Sequence, residues 1–281
     1  MDAILNDVRT RGAARSSDGP EAEGPTLWKE TQGLPKPLDR PPGSRVLVLA
    51  PHMDDDVLGC GGSLRRHVLA GDTVTIAYLT DGRKGDPRLN ARRLSFDDRE
   101  RLEDRLVAVR CREAKRSAAV LGVRDLRFLG YRDQELAVSA HARRQVADLL
   151  EELRPDLVYL PFPTDRHPDH RMTNRIFLAA LSVVHGVPEP LCCGYEVWTP
   201  IEPNCLVDIT SVLHVKRRAL VRFKSQMSVI DFGRCIIGLH AYRSMIHLRG
   251  HGYAEAFVLL SADEYRRQAR RILARAGKAA A

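Results

Sequence analysis

The stretch Arg45-Val46-Leu47-Val48-Leu49-Ala50-Pro51-His52-Met53-Asp54-Asp55-Asp56-Val57-Leu58-Gly59-Cys60-Gly61-Gly62 decides the fold. Its first part, Val46 to Ala50, is a continuous apolar run rich in Val and Leu. Such a run is short for a helix and fits a strand buried on both faces. Pro51 stops it, because proline cannot donate to a strand ladder. One His and three consecutive carboxylates follow. In open α/β sheets, ligands bind just beyond the carboxyl ends of strands. His52 and Asp55 are three apart, so a turn leading into a helix lets them face one point. Asp54 would then stand beside a metal ion without having to ligate it. An acidic helix N-terminus that complements the helix dipole accounts for one or two of the Asp residues, but not for His52.

A second stretch repeats the pattern. Leu157-Val158-Tyr159-Leu160 reads as another short buried strand, ended by Pro161 and followed by Phe162-Pro163-Thr164-Asp165-Arg166-His167-Pro168-Asp169-His170. Two such constellations can converge on one edge of one sheet. His52, Asp55 and one of the later histidines would give three protein ligands. That leaves a position for water, as in catalytic rather than structural zinc sites. Spacing alone allows either His167 or His170.

The rest of the chain supplies the scaffold. Between the two motifs, strand patterns at Thr73–Leu79 and Asp125–Leu129 alternate with helical ones at Leu64–Ala70, Arg99–Val120 and Ala140–Leu153. This alternation indicates parallel βαβ units. Gly59, Gly61 and Gly62 do not form Gly-x-Gly-x-x-Gly. Carboxylates where a pyrophosphate would sit exclude a dinucleotide site, so these glycines are expected to let a helix pack close to the sheet. Thr80-Asp81-Gly82 opens a polar loop to about Asp98, expected to border a cleft. Asp169 is placed as the N-cap of a helix from about His170 to His185. Short strands are expected at Gly194–Trp198 and Cys205–Ile209, then helices at Val212–Lys224 and 233–248. Tyr253–Leu260 reads as a strand or loop, and Ser261 with Glu264 as the capping box of a last helix.

Residues 1–44 contain six of the chain's prolines among Gly, Ser and charged residues, and read as an irregular or disordered leader. The main domain is expected over 45–262, with a basic C-terminal helix and tail over 263–281. A fraction of 44% hydrophobic residues is enough for an ordinary globular core. No apolar run approaches the ~20 residues of a membrane helix, so no integral membrane segment is expected. The start of the chain shows no basic region leading into an apolar block, and the expected location is cytoplasmic. The six cysteines form no Cys-x-x-Cys pair, which gives no support to a thiolate zinc site. Net charge is +8, but the basic residues are interleaved with acids and read as solvated helix faces. No aromatic-rich basic motif points to nucleic acid. A homo-oligomer is compatible with the sequence.

The His-x-Asp-Asp-Asp element at 52–56 and the His-Pro-Asp-His element at 167–170 resemble the LmbE/PIG-L family of zinc-dependent de-N-acetylases. Further matches are Arg110 with Glu113 before Leu121-Gly122, Lys216 with Ser225-Gln226, and Tyr253 to Phe257. The resemblance spans roughly residues 44–262. Met53 stands where the family usually has Pro, and Asp56 where it often has Glu. Neither carries a metal or base role.

The resemblance implies an α/β, Rossmann-like three-layer domain with a largely parallel sheet and the metal at its carboxyl edge. It implies an amidase that removes the N-acetyl group from an N-acetylglucosamine-type sugar or sugar conjugate. It selects His170 over His167, so Zn²⁺ is expected on His52, Asp55 and His170, a donor set that also suits Fe²⁺. Asp54 is then the general base for a zinc-activated water. Protonated His167 would stabilise the oxyanion and protonate the amine, with Asp169 holding its tautomer. Arg110 matches a position near the active site and is expected to bind substrate, although an Arg in a long amphipathic helix is also an ordinary surface residue. Two other classes fit less well. A metal-dependent glycosyltransferase could use Asp54-x-Asp56, but needs no paired His at a second strand end. A non-catalytic binding protein on the same fold would not need Asp54.

Overall fold

The computed structural model describes residues 34–90 and 94–278. Most of the expected leader, residues 1–33, lies outside the described residues. The apolar runs form strands β2 (Arg45–Ala50), β3 (Thr73–Thr80), β4 (Asp125–Tyr131) and β5 (Leu157–Pro161). Strands β6 (Leu191–Tyr195), β7 (Cys205–Asp208) and β8 (Ala254–Leu260) follow. Lys36–Leu38 forms a short strand β1 that pairs in parallel with β7. The leader therefore becomes regular before residue 44: its last part is stitched to the sheet edge by the backbone.

The sheet order is β1-β7-β8-β6-β5-β2-β3-β4. Every pairing is parallel except those of β8, which runs antiparallel between β6 and β7. From β2 the chain proceeds outward through β3 and β4, then returns to place β5 against the other side of β2. β2 and β5 thus flank the point where strand order reverses, the place where such sheets bind ligands. Val46, Leu47 and Val48 stand opposite Leu157, Val158 and Tyr159. That register delivers the segments after Ala50 and after Pro161 side by side.

Both faces of β2 are buried, as its sequence requires. Val46, Val48 and Ala50 pack under helices α1 (Asp55–Leu69), α2 (Phe96–Leu121), α5 (Leu213–Leu220) and α7 (Phe232–Arg243). Leu47 and Leu49 face α3 (Ala140–Leu153), α4 (Pro168–Leu181) and α9 (Ala262–Lys278). The period of two sends alternate residues to opposite layers. The last helix, expected as a piece apart, buries Tyr265, Ala269 and Leu273 in this second layer. Its capping box forms, with the Glu264 N–H on Ser261 Oγ and the Ser261 N–H on Glu264.

The glycines after the first motif serve close packing. A Cβ on Gly59 would fall 2.3 Å from Cδ2 of the buried Tyr195, and one on Gly62 would fall 2.5 Å from Cγ2 of Ile209. Some boundaries differ from expectation. The strand expected at Gly194–Trp198 lies earlier, at Leu191–Tyr195, because the register that sets Leu191 opposite Leu157 and Tyr195 opposite Pro161 fixes it beside β5. The helix expected over Val212–Lys224 stops at Leu220 and gives way to the short α6 (Lys224–Met227), while Ser244 separates α7 from α8 (Met245–Leu248). His167, not Asp169, is the N-cap of α4, since its ring accepts from the Asp169 N–H and Pro168 occupies the first turn.

Candidate active site

The two strand-end segments meet around Asp55. Its backbone opens α1, and its Oδ2 lies 3.0 Å from Nδ1 of His52 and 3.2 Å from Nε2 of His170. The same oxygen accepts the His52 backbone N–H at 2.8 Å, which locks the turn between the two residues. The three residues expected to hold a metal are therefore brought together. His167 joins them, with its ring centroid 4.6 Å from that of His52 and 4.9 Å from that of His170. Among the described residues, two sets have ligand atoms close enough together to hold an ion: the three histidines, and His52 with Asp133 and Asp169.

The cluster carries more carboxylates than the sequence motifs reveal. His52 Nε2 lies 3.2 Å from Asp169 and 3.4 Å from Asp133. Asp165 lies 3.4 Å from His170 Nδ1 and accepts the His167 and Trp198 N–H groups. Asp133 follows the end of β4, so the strand-end rule that found the first two segments also points to it. Asp165 stands inside the second motif, but only the loop's path shows which histidine it serves.

The electrostatics suit a cation. Burial disfavours charge on His52, yet Asp55, Asp133 and Asp169 outweigh it and hold its pKa well above the ordinary imidazole value. Burial likewise opposes charge on His170, but Asp55 and Asp165 push it up to about 9. Burial would raise Asp55, and His170 with His52 instead hold it well below the usual carboxylate range. A divalent ion on these imidazoles would have to displace those protons. Both ring nitrogens of His170, fully buried, lack a hydrogen bond of acceptable geometry. The donor set of imidazoles and carboxylates fits zinc or a similar divalent ion.

Asp54 is the N-cap residue of α1, but its side chain caps nothing. Its Oδ1 instead accepts from the buried Arg110 guanidinium at 2.9 Å. Burial raises the Asp54 pKa, and Arg110 is the main counterweight. The other guanidinium arm donates to the Gly82 carbonyl at 3.1 Å. Arg110 was expected to bind substrate; it lines the cavity, yet its charge is spent on Asp54.

Two further expectations change. Asp169 was expected to hold the tautomer of His167 through its carboxylate. That carboxylate lies instead against His52 and accepts the Gln134 N–H at 2.9 Å, while the Asp169 backbone N–H donates to His167 Nδ1 at 3.2 Å. With Nδ1 accepting, His167 is a neutral ring whose proton sits on Nε2, rather than the imidazolium expected. Burial first, then the charge of His52 and His170, lowers its pKa, in agreement. Asp56 points away from the cavity into the core beside Tyr78, with neither carboxylate oxygen hydrogen-bonded, and burial followed by Asp54 pushes its pKa up to about 8.

A cavity of about 280 Å³ opens over His52, Asp54, Asp55 and His167. Its polar wall includes Lys84, Asp86 and Gln226, and its apolar wall Trp198, Val229 and Phe232. Gln226 is held by its neighbour: the Ser225 N–H and hydroxyl both bond to Glu113. The polar loop after β3 does border the cleft, through Lys84 to Pro87.

Comparisons with known proteins agree with this site. The family model described as PIG-L, GlcNAc-PI de-N-acetylase, matches residues 47–181, which include both motifs. The chain is 31% identical over 197 residues to a diacetylchitobiose deacetylase of Thermococcus kodakarensis, covering 65% of this chain and 70% of that one. It is 34% identical over 142 residues to a probable N-acetyl-alpha-D-glucosaminyl L-malate deacetylase 2 of Bacillus anthracis, covering 50% of this chain and 60% of that one. In three dimensions it is similar to the N,N'-diacetylchitobiose deacetylase of Pyrococcus horikoshii, with a TM-score of 0.65, 26% identity, and coverage of 78% of this chain and 84% of that one. With both motifs inside the matched region and converging on one pocket, the chain belongs to the PIG-L (LmbE-like) family of deacetylases.

Proposed function

We propose that this protein is a metal-dependent amidase that removes the acetyl group from an N-acetylglucosamine-type sugar or sugar conjugate. The observation that carries this is the Asp55 carboxylate shared between His52 and His170, next to an Asp54 held by Arg110 at the floor of an open cavity. His52, Asp55 and His170 would hold the ion. When bound, zinc or a similar ion supplies Lewis acidity, which makes water nucleophilic near neutral pH and stabilises negative charge on an amide oxygen.

The side chains supply the remaining chemistry. Arg110 fixes Oδ1 of Asp54, which leaves Oδ2 to take a proton from the attacking water. His167, with its proton on Nε2, donates to the amide oxygen as negative charge develops there. The proton held on Asp54 then passes to the departing nitrogen, because an amine leaves readily only when protonated. The products are acetate and a primary amine. The cavity volume approaches that of small-ligand sites, and its polar wall offers partners for sugar hydroxyls.

The glycosyltransferase alternative is not favoured, because Asp56 does not line the cavity that Asp54 lines. The test is release of primary amine from a panel of N-acetylglucosamine compounds by zinc-loaded protein, with Asp54→Asn alongside. Release by wild type that largely disappears in the variant is expected. Absence of release from every member, with metal shown to be bound, would overturn the proposed substrate class.

A further inference from the structure

An ion pair is spliced into the backbone of α1, outside the cavity. Lys216 on α5 and Glu255 on β8 are both fully buried. Lys216 Nζ lies 2.6 Å from Glu255 Oε1, donates to the Leu58 carbonyl at 2.9 Å, and lies 2.6 Å from Nε2 of His240 on α7. Glu255 accepts the backbone N–H groups of Gly62 and Ser63 at 2.7 Å each, and the Ser63 hydroxyl at 2.6 Å. These are mid-helix groups. In a regular α-helix the N–H of residue 62 donates to the carbonyl of residue 58. Here the ammonium sits on that carbonyl and the carboxylate on that N–H, so the pair addresses both ends of one helical link.

Stability alone is a poor reason for this arrangement, because apolar residues of similar volume commonly do as well as a buried ion pair. Its location is more informative. The Leu58 N–H closes the first turn of α1 by donating to the Asp54 carbonyl at 2.9 Å, and the Leu58 carbonyl stands at the end of that turn. A continuous path therefore runs from Lys216 through the two peptide units that flank Leu58 to Asp54, and the same turn carries Asp55. Gly62 lets the carboxylate approach; a Cβ there would lie 3.1 Å from Glu255 Oε1. His240 completes the arrangement as a neutral acceptor. Burial, with Lys216 and Arg243 behind it, holds its pKa well below the ordinary value.

We propose that Lys216, Glu255 and His240 are positioning residues that fix the first turn of α1 and thereby hold Asp54 and Asp55 in register with the histidines. This rests on the proposed function for the roles of Asp54 and Asp55, though not for the fixing of the turn. The test is the double variant Lys216→Met/Glu255→Met, which leaves no unpaired buried charge. It is expected to melt cooperatively, with amide exchange over residues 56–62 faster by at least about tenfold and exchange over 64–69 little changed. Zinc affinity, measured against a chelator, is expected to weaken by about 10–100-fold, as for other outer-shell changes.

Exchange and affinity both within twofold of wild type would overturn the proposal. Faster exchange with unchanged affinity would make the pair purely structural and overturn it too. Should the double variant fail to fold, His240→Leu against His240→Gln decides. Gln offers an acceptor to Lys216 and should retain affinity, whereas Leu should lose it; equal affinities would sink the idea. Faster exchange in the variant, beside a wild type that releases no amine, would discredit the functional reading and leave the fixing of the turn standing.

Discussion

Replacing Arg110 with Met should disable catalysis through Asp54 and not through substrate binding. The guanidinium lies 2.9 Å from Asp54 Oδ1, and both groups are buried. Two unit charges about 4 Å apart at an effective dielectric near 20 attract by about 4 kcal/mol. Removing one partner of a buried pair typically costs about 3–5 kcal/mol. In a chain of this size that lowers Tm by roughly 6–20 °C. Asp54 escapes part of the penalty by keeping a proton, and a protonated Asp54 is no base. The variant's kcat should therefore fall by about 100-fold or more, with KM little changed. A cycle with Asp54→Asn isolates the route. The double variant should be no slower than Asp54→Asn alone. It should also melt above Arg110→Met, since no carboxylate is left unpaired. Initial rates of amine release at saturating zinc, with calorimetry in parallel, provide both readouts. A raised KM with kcat preserved, or losses that multiply in the double variant, would mean that Arg110 acts on substrate and that its contact with Asp54 is incidental.

Three further outcomes are open to measurement. His170→Ala should lose zinc beyond the ~10–100-fold typical of an outer-shell change, whereas His167→Ala should keep its metal and lose turnover; elemental analysis with rate measurements would expose the reverse pattern. Gly59→Ala should cost about 1–3 kcal/mol from overpacking against Tyr195, seen as a lower urea midpoint with unchanged m-value; no shift would mean that α1 and β6 can separate freely. His240 faces Lys216 from α5, which Glu255 of β8 pairs in turn, and the charge of Arg243 on its own helix, and its folded pKa lies well below its unfolded one. The unfolded chain therefore gains a proton here below about pH 6.5 while the folded chain does not. Stability from this residue is complete above that pH and falls by about 1.4 kcal/mol between pH 7.5 and 5.5. His240→Gln should lack that part of the acid loss, measured as the difference between the two urea titrations.

What was legible in the sequence followed from local rules. The run Val46–Ala50, its stop at Pro51 and the carboxylates beyond it gave a strand end with metal donors, and the same logic at Leu157–Pro161 supplied the partner segment. That both ends could meet on one sheet edge was legible from the βαβ rhythm, whereas the reversal of strand order that sets β5 beside β2 is seen only in the fold. The ranks of carboxylates behind the motifs were less visible. Asp133 and Asp169 both reach His52, yet they are separated from it by 81 and 117 positions. Asp169 carried a plausible local task as an N-cap, and local propensity could not reveal that His167 takes that task and frees the carboxylate for His52.

The same reasoning explains why positioning was harder to read than chemistry. Metal donors and a base announce themselves by residue type, because few side chains can do those jobs. A residue that positions them can be of any type whose shape and polarity fit, and its partner is set by packing. Lys216 meets Leu58 across 158 positions, and Glu255 meets Gly62 across 193. The family resemblance marks Lys216 and the segment around Glu255, but by pattern alone Lys216 is one more cation on an amphipathic helix, and Glu255 breaks an otherwise apolar strand without stating why. Full burial changes their meaning: a charge taken out of water must be answered by opposite charge or by backbone dipoles. Here it is answered by both, at the peptide groups that link the active-site turn to the rest of its helix. Charged residues at expected core positions are therefore the places where this sequence departs from simple patterning, and where that departure leads to the site.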